Sequence, residues 1–215
     1  MESKIISILV DNPKSWFIPY ANILKKNLEN LGFITNVYFD INLIPVSQIC
    51  FLLSCTKIVP QTFLIRNNHN IVVHASDLPK GKGFTPLKWQ ILEGKNDITL
   101  TLFEAVEDCD AGPYYLKENI HFKGYEFLDE LHEIMAHKII DMCMYYTINS
   151  DNLKSIPQFG DSTYYRKFKA SDDIIEVNQT IKELFNKFRI SDFTNYPITF
   201  HYLGHRYSIK VEQID

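Results

Sequence analysis

Residues 70–94 read NIVVHASDLPKGKGFTPLKWQILEG. Asn70 to His74 is a short apolar run closed by a polar residue, the pattern of a buried strand. Ser76 to Thr85 holds two glycines and a proline and reads as a loop. Pro86 to Leu92 then predicts a helix, with proline in its first turn and Gly94 as its stop.

The same alternation extends towards the N-terminus. Lys4 to Val10 predicts a buried strand ended by the turn Asp11-Asn12-Pro13. Leu24, Leu28 and Leu31 recur at helical spacing before Gly32. Thr35 to Phe39 and Ile49 to Leu53 predict two more strands, and Pro60 suits the start of a short helix. Such alternation implies an α/β fold: a Rossmann-like, mostly parallel sheet with helices on both faces.

Towards the C-terminus, Ile98 to Phe103 and Tyr115 to Phe122 predict strands. Leu128, Leu131, Met135, Ile139 and Met142 form one stripe of a long helix over Phe127 to Tyr146. Residues 148–163 read as a linker. In the tail, Ser171 is placed to cap a helix carrying Ile174, Val177, Ile181, Leu184 and Phe188. Ile198 to Tyr202 and Arg206 to Val211 flank Leu203-Gly204-His205 and predict a β-hairpin. The expected division is a catalytic domain over 1–150 and a small C-terminal helix and hairpin extension over 151–215.

The 215 residues are 46% hydrophobic and 22% charged, enough for a real core and unlike a disordered chain. A net charge of −4 speaks against a general nucleic-acid binder, though not against a local basic pocket. Met-Glu-Ser-Lys lacks a signal-peptide layout, and no apolar run approaches a membrane span. The expected location is the cytoplasm. The four cysteines, 50, 55, 109 and 143, suggest no disulfide framework, and Cys50 and Cys143 sit in apolar runs as buried thiols. No metal site is expected: His132 and His137 do not share the i,i+4 geometry, and His201 and His205 bracket a turn. No G-x-G-x-x-G supports a dinucleotide site.

In an open parallel sheet, ligands collect beyond the carboxyl ends of the strands. Asp11-Asn12, Ser54 to Lys57 and His74 to Lys82 fall there. From pattern alone, His74 is either a site residue or a strand-end histidine bonded to backbone.

His74-Ala75-Ser76-Asp77-Leu78-Pro79 resembles the H-x-S-L-L-P segment of the 10-formyltetrahydrofolate-dependent formyltransferases. Pro86 to Gly94 resembles their P-x-x-W-x-I-x-x-G helix, and Asp110-Ala111-Gly112-Pro113 their D-x-G-[DP] segment. The 36 positions from His74 to Asp110 match the family's spacing. The resemblance covers residues 4–122 and extends more weakly through Tyr164-Tyr165-Arg166-Lys167 and Tyr196 to Phe200.

The resemblance implies that His74 and Asp110 are catalytic. An amine attacking a formyl carbon must lose a proton while an oxyanion develops. A histidine titrating near neutrality can shuttle that proton, and a carboxylate can orient the ring or stabilise its cation. The implied cofactor is N10-formyltetrahydrofolate, gripped between Thr56, Lys57 and Ile58 on one side and Val106, Glu107, Asp108 and Cys109 on the other. For the second loop a plain acidic surface turn is the alternative. One departure stands out. The family's N-x-H asparagine, which holds the formyl oxygen, is Val72 here. Asn70 lies roughly 13 Å from His74 by strand rise, so backbone donors or Ser76 would have to replace it.

Within the family, the stretch from Val72 to Gly94 and the short tail with YPITF look most like the branch that formylates nucleotide-linked amino-dideoxy sugars, UDP- or dTDP-linked. Trp16 would stack on the base or else pack internally. Lys80 and Lys82 would meet a diphosphate or else remain in a mobile, solvated loop. Arg166 would touch phosphate or else form a surface salt bridge. The alternatives are a glycinamide ribonucleotide or methionyl-tRNA formyltransferase, or a non-catalytic binding protein on the same fold. Expected partners are the nucleotide-linked amino sugar and folate. A homodimer is allowed, and neither nucleic acid nor a membrane is expected.

Overall fold

The computed structural model describes residues 5–214. Met1 to Lys4 and Asp215 lie outside the described residues, and with them the first residue of the predicted opening strand and the reading of Met-Glu-Ser-Lys. The chain begins β1 (Ile5–Leu9), α1 (Ile18–Asn30), β2 (Ile34–Tyr38), β3 (Ile49–Leu52), α2 (Gln61–Leu64) and β4 (His69–His74). It continues with β5 (Lys82–Gly83), α3 (Pro86–Leu92), β6 (Asp97–Glu104), β7 (Tyr114–His121) and α4 (Leu128–Asn149). The rest is β8 (Tyr164–Tyr165), α5 (Ile181–Arg189), β9 (Ile198–Tyr202) and β10 (His205–Ile209).

Six strands make one sheet in the order β2-β1-β3-β4-β6-β7. The first four pair in parallel, and β6 runs antiparallel to both β4 and β7. Side chains alternate between the two faces along each strand. Ile6, Ile8, Phe51 and Ile71 therefore meet α1, α3 and α4 through Leu24, Leu28, Leu87, Ile91, Leu131 and Ile139. Leu9, Cys50 and Leu52 face the other way and pack on Ile44 and on Phe63 and Leu64 of α2. The α/β expectation, with helices on both faces and a terminal hairpin, holds. No helix of the described residues is long and apolar enough to cross a membrane.

The tail corrects one reading. Ser171 does not cap a helix running through Ile174 and Val177. A short 3₁₀ turn spans Ala170–Asp173, and then Ile174 and Ile175 extend along β9, with the Ile175 amide donating to the Thr199 carbonyl at 2.9 Å. The helix begins only at Ile181. Thr180 caps it by accepting from the Glu183 amide, and the Glu183 carboxylate accepts from the Thr180 amide. Pairing with β9 won over helical spacing because it buries Ile175, which the proposed helix stripe had not included.

A buried arginine docks α5 on the core. Arg189 is 1% exposed; its Nε donates to the Glu126 carbonyl at 3.1 Å and its Nη1 to Asn96 Oδ1 at 3.0 Å. Its Nη2 lies 3.4 Å from Glu126 Oε2. Burial pushes the Glu126 carboxyl up, but amide bonds from Lys123 and Gly124 and the Arg189 charge outweigh it and hold the group below its ordinary value.

Candidate active site

His74 ends β4 on the face shared with Val72, and Asp110 lies in the loop between β6 and β7. The fold brings them together: His74 Nδ1 is 3.8 Å from Asp110 Oδ2, and the two side chains are 9% and 12% exposed. His74 Nε2 is 2.8 Å from the Gly81 carbonyl. A carbonyl can only accept, so Nε2 carries the hydrogen and Nδ1 is the nitrogen free to take up a proton. The 3.8 Å separation exceeds a direct hydrogen bond. It suits an ion pair once the ring is protonated, or a bridging water.

Asp110 is held from several sides. Its Oδ2 accepts from the Gly83 amide at 2.8 Å and from the Cys109 thiol at 3.5 Å. Its backbone takes φ +51°, the left-handed region that a residue other than glycine rarely adopts. Burial, with the neighbouring Asp110 charge, pushes the Cys109 thiol up to about 11, so it stays protonated and donates at neutral pH.

Glycines explain how the backbone closes round the pair. A Cβ on Gly112 would stand 1.7 Å from the Glu104 carbonyl oxygen, and one on Gly83 would stand 2.4 Å from that of Tyr165. Those approaches are open only to glycine.

The loop that continues β3 is tied to the one after β1. Asp11 Oδ2 accepts from the amides of Thr56 and Lys57 at 2.7 and 2.8 Å. Ile58 and Val106 are exposed. Cys55, Val59, Val72 and Ala105 are half-buried members of the cluster on the α2 face, next to the strand that ends at His74. Asn70 plays no part in the site, because its amide group bonds the Leu64 carbonyl and Asn67.

In the ligand-free chain the proposed substrate contacts have the following internal partners. Trp16 stacks on His132 with ring centroids 3.9 Å apart and packs edge-on against Phe17 and Tyr20, which is the internal-packing alternative. Arg166 is committed to Asp172 by bonds of 2.6 and 2.7 Å and lies 4.6 Å over the Trp89 ring, which is the salt-bridge alternative. Its guanidinium holds the Asp172 carboxyl down at about 2. Lys82 is not in a mobile loop: β5 pairs with β8, which buries the lysine with its ammonium 5.8 Å over the Tyr164 ring. Lys80 stays exposed on the turn before it. Ser76 Oγ is buried without a partner, against Gly81. Glu107 and Asp108 are exposed. Two surface cavities, of 440 and 520 Å³, lie away from the pair, one beside Phe127 and Phe185 and one between Asn119 and His137.

The sequence reading missed the segment that follows α4. Residues 148–163, expected as a linker, begin inside α4 and are then tied to the core. Ile156 exchanges backbone bonds with Tyr114 at 2.9 and 2.7 Å, Gln158 reaches the Asp110 turn, and Thr163 Oγ1 accepts from the Gly81 amide at 2.8 Å. The available signal was glycine: Gly81 and Gly83 each mark a close approach of Tyr165.

Known proteins resemble this chain in sequence and in fold. The methionyl-tRNA formyltransferase of Mycoplasma mycoides subsp. mycoides is 29% identical over 171 residues, covering 76% of this chain and 53% of that protein. The chain thus spans about half the length of the curated relatives it matches. The solved methionyl-tRNA formyltransferase from Clostridium thermocellum superposes with a TM-score of 0.82 at 18% identity, over 99% of this chain and 94% of the other. A 4-N formyltransferase from Francisella tularensis gives 0.74 at 15% identity, over 98% and 99%. HypX from Aquifex aeolicus, solved with tetrahydrofolic acid, gives 0.79 at 15% identity, over 96% of this chain and 37% of the other. At such identities these structures establish a shared fold. Residues 42–140, the segment that carries both His74 and Asp110, match the formyl transferase family.

Proposed function

We propose that the protein is an N-formyltransferase that moves the formyl group of N10-formyltetrahydrofolate to the amine of a nucleotide-linked amino-dideoxy sugar, UDP- or dTDP-linked. The observation that carries this reading is the His74–Asp110 pair, with Nε2 locked on Gly81 and Nδ1 turned to the carboxylate. The formyl transferase family uses N10-formyltetrahydrofolate. The residues beside the pair fit a flat, partly apolar ring system: exposed Ile58 and Val106, with half-buried Cys55, Val59, Val72 and Ala105. Because Asp11 takes the Thr56 and Lys57 amides, the grip of that loop falls to its carbonyls and to Ile58. When bound, the folate supplies an activated formyl group. With folate bound, His74 Nδ1 would take the proton that the attacking amine loses, Asp110 would stabilise the resulting imidazolium, and that proton would pass to N10 as the bond between N10 and the formyl carbon breaks and tetrahydrofolate leaves. With Val72 in place of an amide, the donor to the formyl oxygen is a backbone amide or Ser76 Oγ, an unpaired hydroxyl that is buried beside Gly81 and would have to turn outward.

For the acceptor, one observation favours a sugar nucleotide over a polyanion: the net charge of −4. A second reading, methionyl-tRNA, is favoured by the 29% identity to relatives of that name. Formyl transfer measured with a panel of UDP- and dTDP-linked amino-dideoxyhexoses beside methionyl-tRNA decides between them. Turnover of a sugar nucleotide is expected. Turnover of methionyl-tRNA alone overturns the sugar reading, and folate binding without transfer to any acceptor leaves a non-catalytic protein.

A further inference from the structure

We propose that Gln158 is the positioning residue for Asp110, and that the segment carrying it holds both members of the catalytic pair in register. The inference rests on the functional reading above. Gln158 Nε2 donates both of its hydrogens into the Asp110 turn, to the Asp110 carbonyl at 2.9 Å and to the Gly112 carbonyl at 2.8 Å. Those carbonyls are that of Asp110, the residue that adopts φ +51°, and that of Gly112 two positions on, so the amide braces the turn that leaves the left-handed residue. The orientation is enforced at a cost. Gln158 Oε1 is buried with no partner, which a freely rotating amide would avoid.

The brace is itself anchored on both sides. Ile156 is locked to Tyr114 by a reciprocal pair of backbone bonds. Thr163 bonds the Gly81 amide, and Tyr164 and Tyr165 pair with Lys82 and Gly83. The far end therefore holds Gly81, whose carbonyl fixes His74 Nε2, and Gly83, whose amide fixes Asp110 Oδ2. One segment of the chain reaches the histidine through Gly81 and the carboxylate through both Gly83 and Gln158. Gln158 touches no reacting atom in this account and acts on Asp110 alone.

The test compares the wild type, Asp110→Asn, Gln158→Leu and Gln158→Glu in the ligand-free full chain. Leucine keeps the bulk and glutamate the shape, and neither donates two hydrogens at neutral pH. The readout is the His74 Nδ1 resonance in ¹⁵N spectra at fixed pH, with dispersed amide spectra reporting the fold of each variant. Removing the Asp110 charge is expected to move that resonance, and the uncharged Gln158→Leu variant is expected to move it in the same direction. If Asp110→Asn moves it and a folded Gln158→Leu variant does not, the positioning role is overturned while the catalytic pair stands. If Asp110→Asn leaves it unmoved, the pair itself fails and the proposal with it. In turnover, either Gln158 variant is expected to lower kcat by up to about 10²-fold, the scale of a 1 Å misplacement, with KM little changed. The Asp110→Asn/Gln158→Leu double variant is expected to be no slower than Asp110→Asn, because a residue that acts through Asp110 has nothing left to position. A further loss in the double variant would overturn that route.

Discussion

At the scale of single residues, the site depends on positions that tolerate no other side chain. Gly112 does not need left-handed freedom; its constraint is space, since any Cβ would collide with the Glu104 carbonyl 1.7 Å away. Gly112→Ala must therefore displace the Asp110 turn. It is expected to destabilise the protein by roughly 3 kcal/mol, a fall in Tm of about 6–12 °C for a chain of this size, and to reduce turnover with it. Unchanged melting and activity would show that the turn is more plastic than its packing implies. The sequence exposed His74, Asp110 and Gly112 because polar and glycine residues interrupt apolar strands at family spacing. It hid Gln158 and Thr163, whose roles come only from long-range bonds 48 and 82 positions away in the chain. Trp16 and Arg166 were visible as residue types, but which partner each takes, His132 or a ligand, Asp172 or a phosphate, is decided by tertiary contacts that local pattern does not encode.

At the scale of elements, short apolar runs located the strands and period-3.6 patterns the long helices, to within a few residues. The failures share a cause. β5 and β8 are two residues each, too short for any periodicity to register, yet they pin the loop beside His74. In the tail, Ile174, Val177, Ile181, Leu184 and Phe188 fit one helical stripe, but Ile175 gains more by lying buried against β9. The helix start then passes to Thr180 and its capping box with Glu183. Thr180→Ala is expected to cost about 1 kcal/mol, visible as a fall in Tm of about 2–4 °C. Ser171→Ala is expected to change little. The reverse ranking in a melting comparison would restore the earlier helix start.

At the scale of the whole molecule, the interface between α1 and α4 is pH-sensitive through His132. Burial, helped by the Lys88 charge, lowers its pKa from 6.5 to about 3, so the ring stacked on Trp16 is neutral in the folded state. The unfolded chain takes up this proton near pH 6.5 and the folded one only near 3. The stabilisation is therefore fully present above pH 6.5 and is lost as pH falls from there towards 3. Buried carboxylates with lowered values, such as Glu126, add to the loss only below about 4.5. His132→Phe is expected to flatten the fall in unfolding free energy between pH 6.5 and 5 in denaturant titrations. An unchanged slope would mean that His132 is protonated in the folded protein.

The same whole-molecule geometry makes the central claim directly measurable, because catalysis is assigned to a pair that holds the proton and folate binding to loops on either side of it. Formyl transfer to the accepted amine is measured for His74→Ala and Asp110→Asn, beside calorimetric binding of a stable folate analogue. The account predicts turnover lowered at least about 10²-fold in both variants, with folate affinity close to that of the wild type. Near wild-type turnover in both would contradict it.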